Sequence, residues 1–285
     1  MKLATFSTGD APELGVVVGD WIVSVSRTLP RAADDMIQLI ANWPQIEGEV
    51  RALAGQTAGA LALADVRIHA PIRRPGKIMA IGLNYADHIE ESKLGVPEHQ
   101  IWFSKATTAV NGPFDPIQVP KVSQALEYEA ELVAVIGAGG RHIAKADATK
   151  AVFGYCVGND ATERAWQHRT SQWVLGKSFD THAPFGPWIT TAEEVPDPHV
   201  LDIRTWVNGE IRQNSNTRHL VFNVWDQIEH LSQAMTLEPG DLIYTGTPGG
   251  IGAAMNPRRF LKDGDRVRIE IESLGVIDNP CANEP

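Results

Sequence analysis

Three glutamates spaced two apart, Glu127, Glu129 and Glu131, stand in the stretch Leu126-Glu-Tyr-Glu-Ala-Glu-Leu-Val-Ala-Val-Ile136. The apolar run that closes the stretch makes a strand the expected conformation, and residues two apart on a strand point to one side. Carboxylates crowded on one side repel and raise each other's pKa. A bound cation offsets that repulsion directly. Oxygen donors without thiolates suit hard cations, so Mg2+ or Mn2+ is favoured and Ca2+ also fits. A solvated sheet edge is the ordinary alternative, since exposed acids are common. Asp160 is the natural further ligand, because it ends Gly154-Tyr-Cys-Val-Gly-Asn-Asp160, where an apolar strand gives way to polar residues. Its other available role is to cap the segment that follows.

A second pair lies in Asn84-Tyr-Ala-Asp-His-Ile-Glu-Glu-Ser92. On a helix, the spacing of three puts His88 and Glu91 on one face. A histidine oriented by a carboxylate suits a general base near neutral pH, and a plain surface ion pair would use the same spacing. Val135-Ile-Gly-Ala-Gly-Gly140 begins like a dinucleotide-binding loop, but His142 stands where the third glycine is needed, which argues against nucleotide binding. In Leu242-Ile-Tyr-Thr-Gly-Thr-Pro-Gly-Gly-Ile-Gly252, small residues let backbone N–H groups approach a carboxylate closely. A tight structural turn is its other reading.

Positioning these groups requires many short strands. Leu3 to Phe6, Gly15 to Val18 and Trp21 to Val25 read as a small β unit, followed by helical stretches at Asp35 to Trp43 and Ile46 to Leu53. Prolines and a glycine at His69 to Gly76 mark a domain edge, giving a small N-terminal domain over 1–70 and a catalytic domain over 71–285. Asn208-Gly209 between two β-type runs predicts a hairpin. Leu220, Val224, Ile228 and Leu231 recur at helical spacing. The fold class expected is α+β, rich in β-structure. With 285 residues, 43% hydrophobic and 21% charged, the chain has ample material for a core. Its net charge of −10 excludes a global basic field for nucleic acid or anionic lipid. Two lone cysteines, Cys156 and Cys281, fit a reducing cytoplasm, and no apolar run is long enough for a signal peptide or a membrane span.

In this order the pieces resemble the fumarylacetoacetate hydrolase family over roughly residues 70 to 280. The resemblance is carried by Gly82-Leu-Asn-Tyr-Ala-Asp-His88, Tyr128-Glu-Ala-Glu-Leu132, Asn159-Asp-Ala-Thr-Glu-Arg164 with Trp166-Gln167, and Leu175-Gly-Lys-Ser-Phe-Asp-Thr181. It continues through Asn208-Gly-Glu, Arg212-Gln213, Pro239-Gly-Asp241 and Thr245-Gly-Thr-Pro-Gly-Gly250. It implies a mixed β-roll and a homodimer. It implies Mg2+ or Mn2+ held by Glu129, Glu131 and Asp160, with Glu127 behind them. It also implies a His88–Glu91 dyad, the active-site lysine at Lys177 and a pocket lysine at Lys105. Lys105, Arg164, Gln167 and Thr247 are the candidates for gripping substrate. The activity implied is hydrolysis of a C–C bond in a small 2,4-diketo acid, acylpyruvate-like, through a pyruvate enolate stabilised by the metal. Decarboxylation or isomerisation of an oxaloacetate-like keto di-acid is the alternative within the family, and a metal-dependent ligand-binding protein is the alternative outside catalysis. Ala106, Ala165 and His182 depart from the family's usual residues, near the expected pocket.

Overall fold

The computed structural model describes residues 1–9, 11–55, 59–93 and 95–285. Its main sheet is laid out around the strand Ala130–Ile136, which pairs antiparallel with Val152–Asn159 on one side and with Leu242–Tyr244 on the other. Beyond Leu242–Tyr244 come Ile78–Gly82, in parallel, and then Ile101–Ser104. Beyond Val152–Asn159 comes Ala183–Thr191, and through it the N-terminal strands Lys2–Ser7, Glu13–Val18 and Trp21–Ser24 continue the same sheet. A second sheet is ordered Glu210–Asn216, Asp202–Val207, Arg266–Ile271, Gly275–Asn283, Ile117–Val119. Asn208 and Gly209 join its first two strands, both with positive φ (53° and 80°), as the two-residue hairpin turn requires. This is the α+β, strand-rich architecture the sequence predicts.

The apolar run at Leu132 to Ile136 is continuous because its strand is buried on both faces, and alternate side chains enter different cores. Leu132, Ala134 and Ile136 pack with Ile203, Ile269 and the helix Val224–Ala234. Val133 and Val135 pack with Leu39, Ile40 and Leu53 of the helix Met36–Leu53. The first 70 residues therefore share both a sheet and a core with the rest of the chain. Two expectations shift in detail. The two helical stretches after Asp35 form one helix that carries Pro44 inside it, and Leu220 precedes its helix, which starts after a capping box formed by Asn223 and Asp226. No helix among the described residues is long and apolar enough to cross a membrane.

Strand direction gathers the chemistry at one end of the sheet. The chain leaves Val152–Asn159 at Asp160, Leu242–Tyr244 at the glycine-rich loop and Ile78–Gly82 at the segment leading to His88. The antiparallel strand between them starts at the same end, with Glu129 and Glu131. Ile243 lies at the middle of this arrangement and is fully buried. Ile243→Ala is expected to cost ~2–5 kcal/mol, read from the urea midpoint at unchanged slope. A loss within experimental error of zero would mean that this layer does not carry the fold.

Candidate metal centre

Glu129, Glu131 and Asp160 are buried, and each offers an oxygen within 4.8 Å of the others. The strand breaks at Tyr128–Glu129, between Leu126–Glu127 and Ala130–Ile136. The expected run of three acids on one side is thereby reduced to two. Glu127 turns instead to the Arg164 guanidinium (Oε2 to Nε, 2.6 Å) and to the backbone N–H of Ala253 (2.8 Å). Asp160 comes to the site through the main chain, its N–H donating to the carbonyl of Glu129 (2.8 Å) while Asn159 Oδ1 accepts from the N–H of Glu129 (2.9 Å).

Four buried carboxylates meet three cations here, the buried Lys105 and Lys177 and the partly buried Arg164. Lys177 Nζ bridges Glu129 Oε2 (2.6 Å) and Asp160 Oδ2 (2.5 Å). Arg164 pairs with Glu127 and Glu129, and its Nη1 donates to Gln167 Oε1 (2.7 Å). Lys105 Nζ lies against the other oxygen of Asp160 (2.5 Å) and the carbonyl of Ala161 (3.2 Å). Burial opposes ionisation of Glu129, but Arg164 and Lys177 outweigh it and hold this carboxyl well below the usual range. Glu131 has no ion pair among the described residues and accepts only the Gly246 N–H (2.7 Å). Burial, followed by the neighbouring charges of Asp160 and Glu129, pushes its carboxyl well above the usual range. An all-oxygen set of three carboxylates, one of them without a countercharge, fits a hard divalent cation.

The helix Ala86–Ser92 brings His88 over this group. His88 Nδ1 stands 3.7 Å from Glu91 Oε2, an ion-pair distance too long for a hydrogen bond. Glu91 Oε2 accepts from the Gly250 N–H (2.9 Å) instead. Burial raises the Glu91 carboxyl, yet His88 and the backbone N–H groups of Gly250 and Ile251 bring it below its ordinary value. Asp87, next to the histidine, accepts from Gly249 N–H (3.3 Å) and Ser215 Oγ (2.5 Å). The glycine-rich loop does present N–H groups to carboxylates, and these are the protein's own: Glu131, Asp87 and Glu91. Gly246 aims its N–H there at φ 104°, a conformation that favours glycine.

A cavity of about 430 Å³ is lined by His88, Glu91, Glu129, Glu131, Asp160, Arg164, Gln167, Lys177 and Thr247. Thr247 Oγ1 accepts from Gln213 Nε2 (2.8 Å), and Gln213 also braces Ala130 N (3.0 Å) and Thr205 Oγ1 (2.8 Å). Lys105 does not line the cavity. Expected as a substrate-gripping residue, it instead lies buried with its ammonium against Asp160, and burial pushes it below the usual lysine range against the pull of that carboxylate. His182 lies beneath the site as well. Its Nε2 meets the Gln118 carbonyl (2.9 Å), its ring sits beside Phe179, and burial lowers its pKa to about 4. The departures from family pattern at Ala106, Ala165 and His182 are therefore not at the cavity wall. Sequence reasoning missed Trp173, which packs on Phe103 (centroids 5.5 Å), and also His168 and Arg258. Arg258 sits in Asn256-Pro-Arg-Arg259, where spacing does not tell which arginine turns inward.

Residues 77–282 match the family described as "Fumarylacetoacetate (FAA) hydrolase C-terminal". The chain is 41% identical to the mitochondrial oxaloacetate tautomerase Fahd2a of Rattus norvegicus, over 98% of this chain and 91% of that protein. It is 36% identical to maleylpyruvate hydrolase from Sphingobium sp. SYK-6, solved in complex with manganese(II) ion and pyruvate, with a TM-score of 0.84 and all of both chains covered. It is 34% identical to 5-carboxymethyl-2-hydroxymuconate delta-isomerase from Mycobacterium smegmatis, with a TM-score of 0.80 over all of both chains.

The unequal pairing of the carboxylates separates two variants. Glu131→Gln removes the acid that has no countercharge, so the metal-free variant is expected to melt no lower than metal-free wild type. Its Mn2+ affinity should fall at least about 100-fold, more than the loss of an outer partner causes. Glu129→Gln takes one of two carboxylate partners from both Lys177 and Arg164, leaving them Asp160 and Glu127, and is expected to cost ~1.5–3 kcal/mol of stability as well as metal binding. Calorimetric titration with Mn2+ and thermal melts of both variants check this, and equal destabilisation by the two would contradict the charge assignment.

Proposed function

This chain belongs to the fumarylacetoacetate hydrolase family, and from that premise we propose that it is a divalent-metal-dependent enzyme catalysing keto–enol tautomerisation of a small 2-keto acid of the oxaloacetate type. The observation that carries the reading is the placement of one histidine–carboxylate pair over three buried carboxylates within a single cavity. Glu129, Glu131 and Asp160 would hold the cation, Mg2+ or Mn2+, which supplies Lewis-acid polarisation of the keto oxygen when bound. The relatives named oxaloacetate tautomerase support this choice of reaction.

The chain's own residues account for the proton. His88 takes a proton from the carbon beside the keto group and hands the same proton to the keto oxygen, so that the ring ends neutral, and in the reverse direction it carries the proton from oxygen back to carbon. Glu91 favours the protonated ring that forms, acting at 3.7 Å through its charge. Lys177, held at the floor by Glu129 and Asp160, keeps a positive charge beside the oxygen on which negative charge develops. Burial of the acids keeps water from screening these charges.

Hydrolysis of a 2,4-diketo acid is the second reading, favoured by the likeness to maleylpyruvate hydrolase. It uses the same groups, with His88 taking a proton from water instead of from carbon. A paired assay with Mn2+ separates the two, following loss of the enol absorbance of oxaloacetate and release of pyruvate from acylpyruvates. His88→Ala is expected to lower turnover about 10²–10⁴-fold in whichever assay is active, with Mn2+ affinity retained. If that variant loses Mn2+, the histidine is a ligand and the role given to it here fails.

A further inference from the structure

The cations at the cavity are unequally committed. Arg164 is bound to Glu127, Glu129 and Gln167, and Lys177 to Glu129 and Asp160. Arg258 lines the same cavity, is exposed, and has no ion pair or side-chain hydrogen bond among the described residues. Its neighbour Arg259 faces away and pairs with Glu210 through both carboxylate oxygens (3.0 Å each). The Arg259 N–H donates to the carbonyl of Gly252 (3.0 Å), and the N–H of Ala253 donates to Glu127 Oε1 (2.8 Å). The segment is thus tied at both ends, and Arg258 is presented at the rim. Its charge reaches His168 on the same wall, where burial, then Arg164, Arg258 and Lys177, lower the imidazole pKa.

We propose that Arg258 is the specificity-determining residue that receives the distal carboxylate of the substrate, so that the enzyme selects 2-keto dicarboxylic acids over monocarboxylic ones. The inference rests on the keto-acid reading above and adds the second anionic group. A keto acid whose carboxylate–keto end lies at Glu129, Glu131 and Asp160 directs its other end away from the floor, toward the rim. The acids lining the cavity are the three at the floor and Glu91, which is already held by Gly250. None of them pairs with Arg258. A planar guanidinium with free donors takes a carboxylate in a two-bond fork, which a lone ammonium does not reproduce.

The test uses binding to the Mn2+-loaded protein and does not depend on turnover. N-Oxalylglycine presents the keto-acid end together with a distal carboxylate, whereas N-methyloxamate presents the same end without one. Calorimetric titration of wild type should favour N-oxalylglycine by about 10–100-fold, the worth of a charge-assisted hydrogen-bonded pair. Arg258→Ala should abolish that preference and leave N-methyloxamate binding unchanged, while Arg258→Lys keeps part of it. Persistence of the preference in Arg258→Ala overturns the proposal, as does equal binding of both probes by wild type or equal weakening of both by the substitution. Binding of neither probe by wild type overturns the keto-acid reading itself, and the proposal with it.

Discussion

Four carboxylates and three cations share one buried end of the central sheet, and most of the local structure answers to that charge pattern. Removing an ion from water costs several kcal/mol even after relaxation, so a buried acid needs a partner held in good geometry. Arg164 and Lys177 each serve two acids, and Lys105 supports Asp160 from the far side. Glu131 is left with a single backbone N–H. The protein thus balances most of its own negative charge and leaves one carboxylate for an incoming cation. This is how three acids can be kept close together without unfolding the layer that carries them.

The glycine-rich loop connects this floor to the dyad. Gly246 reaches the Glu131 carboxylate, Gly249 reaches Asp87, and Gly250 reaches Glu91, all within five residues of chain. One loop therefore fixes a member of the acid cluster and also the helix that bears His88. Gln213 ties the loop through Thr247 to the second sheet and, through Ala130, to the strand of the acids. Charged groups fixed in advance in this way are the preorganisation from which much of an enzyme's electrostatic advantage originates.

Support for the acid strand comes from both of its faces. One face rests on the second sheet and the helix Val224–Ala234, and the other on the N-terminal helix. A strand covered on both sides has little freedom to shift register, since a one-residue slip would exchange its two sets of side chains. The N-terminal residues, although they lie outside the span matched by the family, thereby help fix where Glu129 and Glu131 stand.

Local spacing was enough to identify what repeats along the chain. The two-residue step of Glu129 and Glu131, the three-residue step of His88 and Glu91, and the Asn208-Gly209 turn all follow from backbone geometry within a few residues, and each is found in place. The same step of two misplaced Glu127, because the break at Tyr128–Glu129 resets the alternation. Lys105 reads as a pocket residue in sequence, yet it lies buried behind Asp160, 55 positions away. Nothing local separates Arg258 from Arg259, and only the pairing of Arg259 with Glu210 decides which of them faces the cavity. Which acids and bases occur, and which neighbours share a face, is fixed by the order of residues along a strand or helix. Which cation neutralises which acid is decided only when distant segments pack, because the energy of a charge depends on the burial and partners that folding brings to it.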